Sequence, residues 1–270
     1  MKQLIKHFFV AITKNALIQG LLERSVSTSH YLMGVGAGDA ADSSGETAVV
    51  EELKRQVVVG VPLIIFDVGA NKGQFLDMIE QGLRGIDCHI HVFEPSKHTY
   101  QILSENAKSY SNLTLNNLAL GRQVGEFDLH YDELGSGLAS LTKRKLNHFG
   151  YDFKYAEKIQ VETLDDYCAR NSIHTIDHLK LDVEGHELDV LQGGIKMFQN
   201  QRIKMVSFEF GGCNIDSRTY FRDFYNFFQD CGMNRIFRIA PSGYLAPVHQ
   251  YKEIYEQFRT TNFLVIANSA

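Results

Sequence analysis

The stretch Leu63-Ile-Ile-Phe-Asp-Val-Gly-Ala-Asn-Lys-Gly-Gln-Phe75 constrains the fold of this chain more than any other. Leu63–Phe66 is an apolar run without a polar face, as expected of a strand buried on both sides of a parallel sheet. Asp67 ends the run, and Gly69 and Gly73 follow in a D-x-G-x-x-x-G spacing. From Gln74 the pattern turns helical, with Phe75, Leu76, Met78 and Ile79 on one face and Gly82 as a stop. A strand passing through a glycine turn into a helix is where open α/β sheets hold ligands. The glycines let backbone approach the ligand, and the free N–H groups and helix dipole favour negative charge there.

The turn lacks the G-x-G-x-x-G that brings backbone against a pyrophosphate, which disfavours a nicotinamide oxidoreductase. An acid at the strand tip suits a ligand with an ammonium group, and S-adenosylmethionine has one, together with a carboxylate for the helix end and no phosphate. The next apolar run, Cys88–Phe93, ends at Glu94-Pro95. A carboxylate at that tip can accept both hydroxyls of a ribose. A further run, His178–Val183, carries Asp182 and then Glu184 at its carboxyl end, with Gly185 allowing a tight turn into a helix. Glu209 ends the run Ile203–Phe208 in the same manner, and a carboxylate in that position is costly to bury without a partner. It is a candidate for binding substrate hydroxyls or for general-base work.

Apolar runs alternate with helical patterns along most of the chain, which predicts a doubly wound α/β sheet. Further strands are expected at Leu113–Leu120, Arg235–Ile239 and Phe263–Ala267, and a half-exposed one at Val124–Tyr131. Helices are expected from Lys97, from Leu188 through Phe198, and over Tyr220–Cys231, whose aromatic stripe reads as core. Leu134–Lys145 has no strong period and carries Lys143, Arg144 and Lys145, so it is a candidate lid over the site whose charges would meet a phosphate or carboxylate on the substrate. The chain divides into an extension, 1–56, and a main domain, 57–270. In the extension, Leu4, Phe8, Ile12, Leu17 and Leu21 lie near helical spacing and predict an amphipathic helix packed on the domain, membrane-surface or partner contact being the alternative. Gly34–Gly45 reads as a Gly/Ser-rich linker, and its glycines follow no strand.

The formal net charge of −5 argues against nucleic-acid binding through the whole surface. Cys88, Cys168, Cys213 and Cys231 show no metal-site or disulfide spacing, so no metal is expected and reduced thiols in a cytoplasm are the simpler account.

Taken in order, Phe66-Asp-Val-Gly-Ala-Asn-Lys-Gly73, Phe93-Glu-Pro95, Asn117-Leu-Ala-Leu-Gly121, Ser140-Leu141, Glu162-Thr-Leu-Asp165, Lys180-Leu-Asp-Val-Glu-Gly-His-Glu187 and Glu209 resemble the FkbM family of S-adenosylmethionine-dependent methyltransferases. The resemblance runs from about Leu63 to Ala267. It implies a class I methyltransferase fold, a Rossmann-like seven-stranded sheet whose last two strands are antiparallel, with helices on both faces. It also implies O-methylation of a hydroxyl on a sugar, glycan, glycolipid or polyketide-type product. Asp67, Gly69, Ala70, Asn71 and Gly73 would hold the methionine part of the cofactor, Glu94 and Pro95 the ribose, and Asn117, Leu118 and Ala119 the adenine. Asp182 would stand at the cofactor–substrate edge, with Glu184, Ser140, Lys143 and Arg144 on the acceptor side. A sugar hydroxyl gains from a group that takes its proton, and Asp182, Glu209 and His186 are the candidates in that order. An amine or protein side chain as acceptor, or a non-catalytic partner subunit, are the competing readings.

Overall fold

A computed structural model describes residues 10–11, 13–38 and 44–268 of the chain. Its centre is a sheet of eight strands: β1 (Leu63–Val68), β2 (Cys88–Phe93), β3 (Leu113–Asn116), β7 (His178–Leu181), β8 (Met205–Phe210), β9 (Arg235–Ile239), β10 (Leu245–Pro247) and β11 (Thr261–Ile266). The spatial order is β10-β9-β11-β8-β7-β1-β2-β3. From β3 through β8 the neighbours are parallel, while β11 runs antiparallel to both β8 and β9. Sequence predicts seven strands. The eighth, β10, is a three-residue edge strand inside the 240–262 loop, too short to show a period.

The parallel strands are buried on both faces, and their alternating residues enter two cores. Phe66 and Val68 join a large cluster with Phe93, Tyr167, Leu179, Leu181, Phe208 and Phe210, whereas Ile65 joins a second with Ile90, Val92, Phe75 and Leu76. The predicted aromatic helix is Phe221–Asp230. Its Phe221, Phe224 and Phe228 are fully buried, and Phe224 stacks on Phe208 at 4.8 Å. Burying each ring stabilises the fold by about 2 kcal/mol.

Two expected elements are divided. Leu113–Leu120 breaks at Asn117-Leu118: β3 stays in the main sheet, while β4 (Ala119–Leu120) pairs with β6 (Tyr155–Glu162) in a small sheet completed by β5 (Gly125–Tyr131). The helix after β7 becomes Glu187–Gly193 and Ile195–Gln199, split at Gly193-Gly194. Asp165 caps the second piece, its carboxylate accepting the N–H groups of Lys196 and Met197 at 3.0 Å.

The extension contributes α1 (Ala16–Met33) and α2 (Thr47–Arg55). Asn15 caps α1 and Gly34 ends it in the left-handed region, yet no residue of α1 is buried, so its described residues do not pack on the domain as expected. Leu4 and Phe8 of the predicted helix, and Ile12, lie outside the described residues. The described ends of the predicted linker are closely packed. Gly36 and Gly38 donate to the Thr260 carbonyl, and a side chain at Gly34 would meet the Ile239 carbonyl at 2.1 Å. Val49, Val50 and Leu53 of α2 are buried in the cluster around Ile65, against α3 (Gln74–Gly82).

Candidate active site

Because β3, β2, β1, β7 and β8 run the same way, their carboxyl ends form one edge, and the acids that end their apolar runs gather there. The turn after β1 is drawn tight. Gly69 and Ala70 donate to the Phe93 carbonyl at 3.0 Å, and Asp182 N–H donates to the Val68 carbonyl at 3.0 Å. At Gly69, with φ +82°, a β-carbon would lie 1.8 Å from the Asp182 carbonyl, so only glycine lets the tips of β1 and β7 meet. Asn71 and Glu184, in the turns after these two strands, both hold positive φ. Such strain is stored where surrounding structure over-determines it. The turn after β7 is pinned by Glu187, whose buried Oε1 accepts the N–H groups of Val183 and Gly185 at 3.1 Å.

Two hollows open along this edge, and Gly69 and Asp182 line both. The first is a narrow cleft of about 60 Å³ beside Glu94 and Pro95, walled by Val68, Phe93, Leu118, Leu129 and Leu141. Glu94 accepts the N–H of Asn71 at 3.0 Å and that of Ser96 at 2.8 Å. Burial pushes its carboxyl up to about 7 despite these two bonds. The second is a cavity of about 720 Å³ on the other side of Asp182, reaching Asn71, Gln74, Glu46, Glu209 and Asn262.

The large cavity is lined by a cation that the sequence did not single out, Lys180, between two acids that it did. Register sets Asp67, Lys180 and Ser207 side by side on β1, β7 and β8. Lys180 Nζ stands 3.2 Å from Asp67 and 3.3 Å from Asp182, and the Phe75 ring lies 5.4 Å from it. Burial opposes the Lys180 charge, but Asp67, Asp182 and Glu46 together hold its ammonium above the usual lysine range, so it stays protonated. Lysine two places before an acid, in an otherwise apolar strand, was the available signal, since residues i and i+2 share a face.

Of the expected cofactor residues, Gly69, Ala70, Asn71, Glu94, Pro95, Leu118, Ala119 and Asp182 line the hollows. Asp67 lies fully buried behind them on Lys180. Gly73 is the cap residue before α3, and Asn117 donates its amide to the carbonyls of Glu94 and Pro95. On the acceptor side the expectation changes most. Arg144 is buried, 2.6 Å from Glu184 and 3.3 Å from Asp216, so its guanidinium is held inside the protein and is not offered to a substrate anion. Glu184 faces that guanidinium, and Lys143 is exposed beyond either hollow. Ser140 bridges to His130 and donates to the Glu184 carbonyl at 2.8 Å, closing the expected lid segment over the cleft. Glu209 lines the large cavity, while His186 lines the cleft with Thr142 and Asp189 on its two ring nitrogens. Glu46, Thr47, Ser207 and Asn262 are lining residues that sequence analysis missed.

A parallel sheet reversed at its last strands, a glycine turn after the first strand and an acid at the tip of the second define a class I methyltransferase. The Methyltransferase FkbM domain matches residues 67–234. The chain belongs to the FkbM family of S-adenosylmethionine-dependent methyltransferases. It is 28% identical over 145 residues to the 2-O-methyltransferase NoeI of Sinorhizobium fredii, covering 48% of this chain and 57% of that relative, little more than half its length. Among solved structures, the FkbM methyltransferase of Methylobacillus flagellatus aligns at 14% identity and TM-score 0.47, over 89% of this chain and 59% of that one. The N-terminal domain of human METTL16 in complex with SAH aligns at 9% identity and TM-score 0.45, over 85% and 70%.

Proposed function

We propose that this enzyme methylates a hydroxyl group of a sugar or glycan. The observation that carries the reading is the position of Asp182, on the wall shared by the two hollows and held by Lys180. The chain's residues fit S-adenosylmethionine. The cleft offers apolar walls for a base and the Glu94 carboxyl for ribose hydroxyls, and Asn71 Oδ1 is buried without a hydrogen-bond partner. When bound, the cofactor supplies an electrophilic methyl carbon on a sulfonium.

The protein's part is placement and proton transfer. Asp182 and Glu209 orient an acceptor oxygen in the large cavity, toward the shared wall, and placement of this kind supplies much of the rate of a displacement. Asp182 takes the hydroxyl proton as the new carbon–oxygen bond forms. Lys180 keeps the Asp182 side chain aimed at the shared wall. His186 is a weaker candidate for the base, because it faces the cleft and has a partner on each ring nitrogen. The 2-O-methyltransferase activity named for NoeI supports a sugar acceptor. The four cysteines are all free and buried, which suits a reducing cytoplasm.

The test is S-adenosylhomocysteine release in the presence of a panel of methyl glycosides and oligosaccharides, with the modified position read by mass spectrometry. Methylation of a ring hydroxyl supports the reading. Transfer only to amines or phenols, from a protein that binds S-adenosylhomocysteine, removes it.

A further inference from the structure

The large cavity carries information about the acceptor that the matched segment does not. Glu46, Thr47 and Asn262 lie outside residues 67–234, and all three line the cavity that Asp182 faces. Asn262 sits beside Glu209 because β11 pairs with β8 in that register. Glu46 is presented by a fixed support. Ser44 is buried and donates to Glu46 Oε2 at 2.9 Å, and a side chain at Gly45 would meet the Ala240 carbonyl at 2.0 Å. One turn further on, Val49 and Val50 anchor α2 in the core.

The charge of the wall is one-sided. Among the described lining residues the carboxylates are Glu46, Asp77, Asp182 and Glu209, and the cation is Lys180. That ammonium is already held by Asp67 and Asp182. On the Glu46, Thr47, Glu209 and Asn262 wall, away from the Gly69–Asn71 turn expected to hold the cofactor's methionine part, a substrate phosphate or carboxylate would meet like charge, and no cation among the described lining residues is uncommitted. A hydroxyl or ammonium would meet acceptors there, the Glu46 and Glu209 carboxylates and the Asn262 amide oxygen.

We propose that the wall formed by Glu46, Thr47, Glu209 and Asn262 is the acceptor subsite, that it selects an uncharged or cationic sugar over a phosphorylated or uronic one, and that Glu46 accepts a hydrogen bond from the acceptor. The proposal rests on the sugar O-methyltransferase reading and narrows it. The buried Glu46 carboxyl, raised above its usual range by desolvation, gains most from a donor brought by the ligand.

The experiment compares kcat/KM for a methyl glycoside, its uronate and its 6-phosphate, in wild type and in Glu46→Gln and Glu46→Lys, with S-adenosylhomocysteine binding measured by calorimetry on each protein. Wild type should prefer the neutral glycoside by about tenfold or more. Glu46→Gln should raise its KM by roughly tenfold, the scale of one hydrogen bond to a charged group, with kcat and S-adenosylhomocysteine affinity nearly unchanged. Glu46→Lys should shift the preference toward the uronate. Equal or better turnover of the anionic glycosides by wild type overturns the charge rule. Loss of S-adenosylhomocysteine affinity in Glu46→Gln places Glu46 on the cofactor and overturns its role as acceptor ligand. If no glycoside is methylated while S-adenosylhomocysteine still binds, the sugar reading fails and this inference with it.

Discussion

The two hollows beside Asp182 are built by different means. The cleft is about 60 Å³, walled by apolar strand tips and by the 136–141 segment, and all its lining residues fall within residues 67–234. The cavity is about 720 Å³, and part of its wall comes from the chain on either side of that segment. Parallel strands with acids at their tips dictate a cofactor edge wherever they occur together. The proposed acceptor wall depends on how Gly38, residues 44–47 and the start of β11 pack across that edge, and such packing can change while the edge is kept. Substitutions on the two sides should therefore separate cofactor affinity from acceptor KM.

Asp182 sits at the joint, and its substitution should have the largest effect. Asp182→Asn keeps the shape and removes the proton acceptor, so kcat should fall by about 10²- to 10⁴-fold while S-adenosylhomocysteine binding changes little. A comparable loss of S-adenosylhomocysteine affinity would assign Asp182 to the cleft alone and break the comparison. Lys180→Met should act on stability. Removing the cation leaves Asp67, which is fully buried, without compensation, at a cost of about 3–5 kcal/mol. The melting temperature should drop by roughly 10 °C. Adding Asp67→Leu to Lys180→Met should recover part of that loss, because the charge left unpaired is gone. A fully additive double variant would show that the two groups are not coupled.

The contrast also explains what could be read from the sequence. The tips of β1, β2, β7 and β8 were legible because a buried strand is an apolar run and the residue that ends it is conspicuous. Asp67 was conspicuous for the same reason, but its side chain is fully buried on Lys180 and lines neither hollow, which sequence spacing does not reveal. Glu46 was not legible. An acid just before a helix reads as an ordinary first-turn residue, and only the packing of Gly36, Gly38 and Gly45 brings it to the cavity. Arg144 was grouped with Lys143 and Lys145 as a charge for a substrate anion because Lys-Arg-Lys looks like a free basic run. Its partners, Glu184 and Asp216, are 40 and 72 residues away, and no local pattern encodes contacts of that range.

Glu94 sharpens the cleft side through pH. Its carboxyl, raised to about 7 by burial, is protonated in the folded protein where an exposed glutamate would be ionised. The stability this lends is fully present below about 4.5 and is lost as pH rises through about 7. Ribose hydroxyls donate to the ionised form, so binding below that pH must expel a proton. Affinity for S-adenosylhomocysteine should therefore climb with pH up to about 7, by at most about tenfold per unit, and then level off. Glu94→Gln should flatten the profile. A level wild-type profile between about 5.5 and 8 would mean that ionised Glu94 does not hold the ribose.

The smallest effect is expected just outside the site, at neighbouring residues with opposite fates. Arg144 is buried between Glu184 and Asp216, whereas Lys143 and Lys145 are exposed and line neither hollow. If the basic run served acceptor anions, replacing both lysines by serine would raise acceptor KM. If the acceptor is neutral and lies on the far side of Asp182, the same replacement should leave KM within about twofold and stability within about 0.5 kcal/mol. Arg144→Ser, by contrast, would strand the Glu184 carboxylate beside the strained turn after β7, and it should lower the melting temperature and kcat together. A rise in KM from the lysine pair, with Arg144 and the fold intact, would move part of acceptor recognition to the cleft side and erase the division of labour between the two hollows.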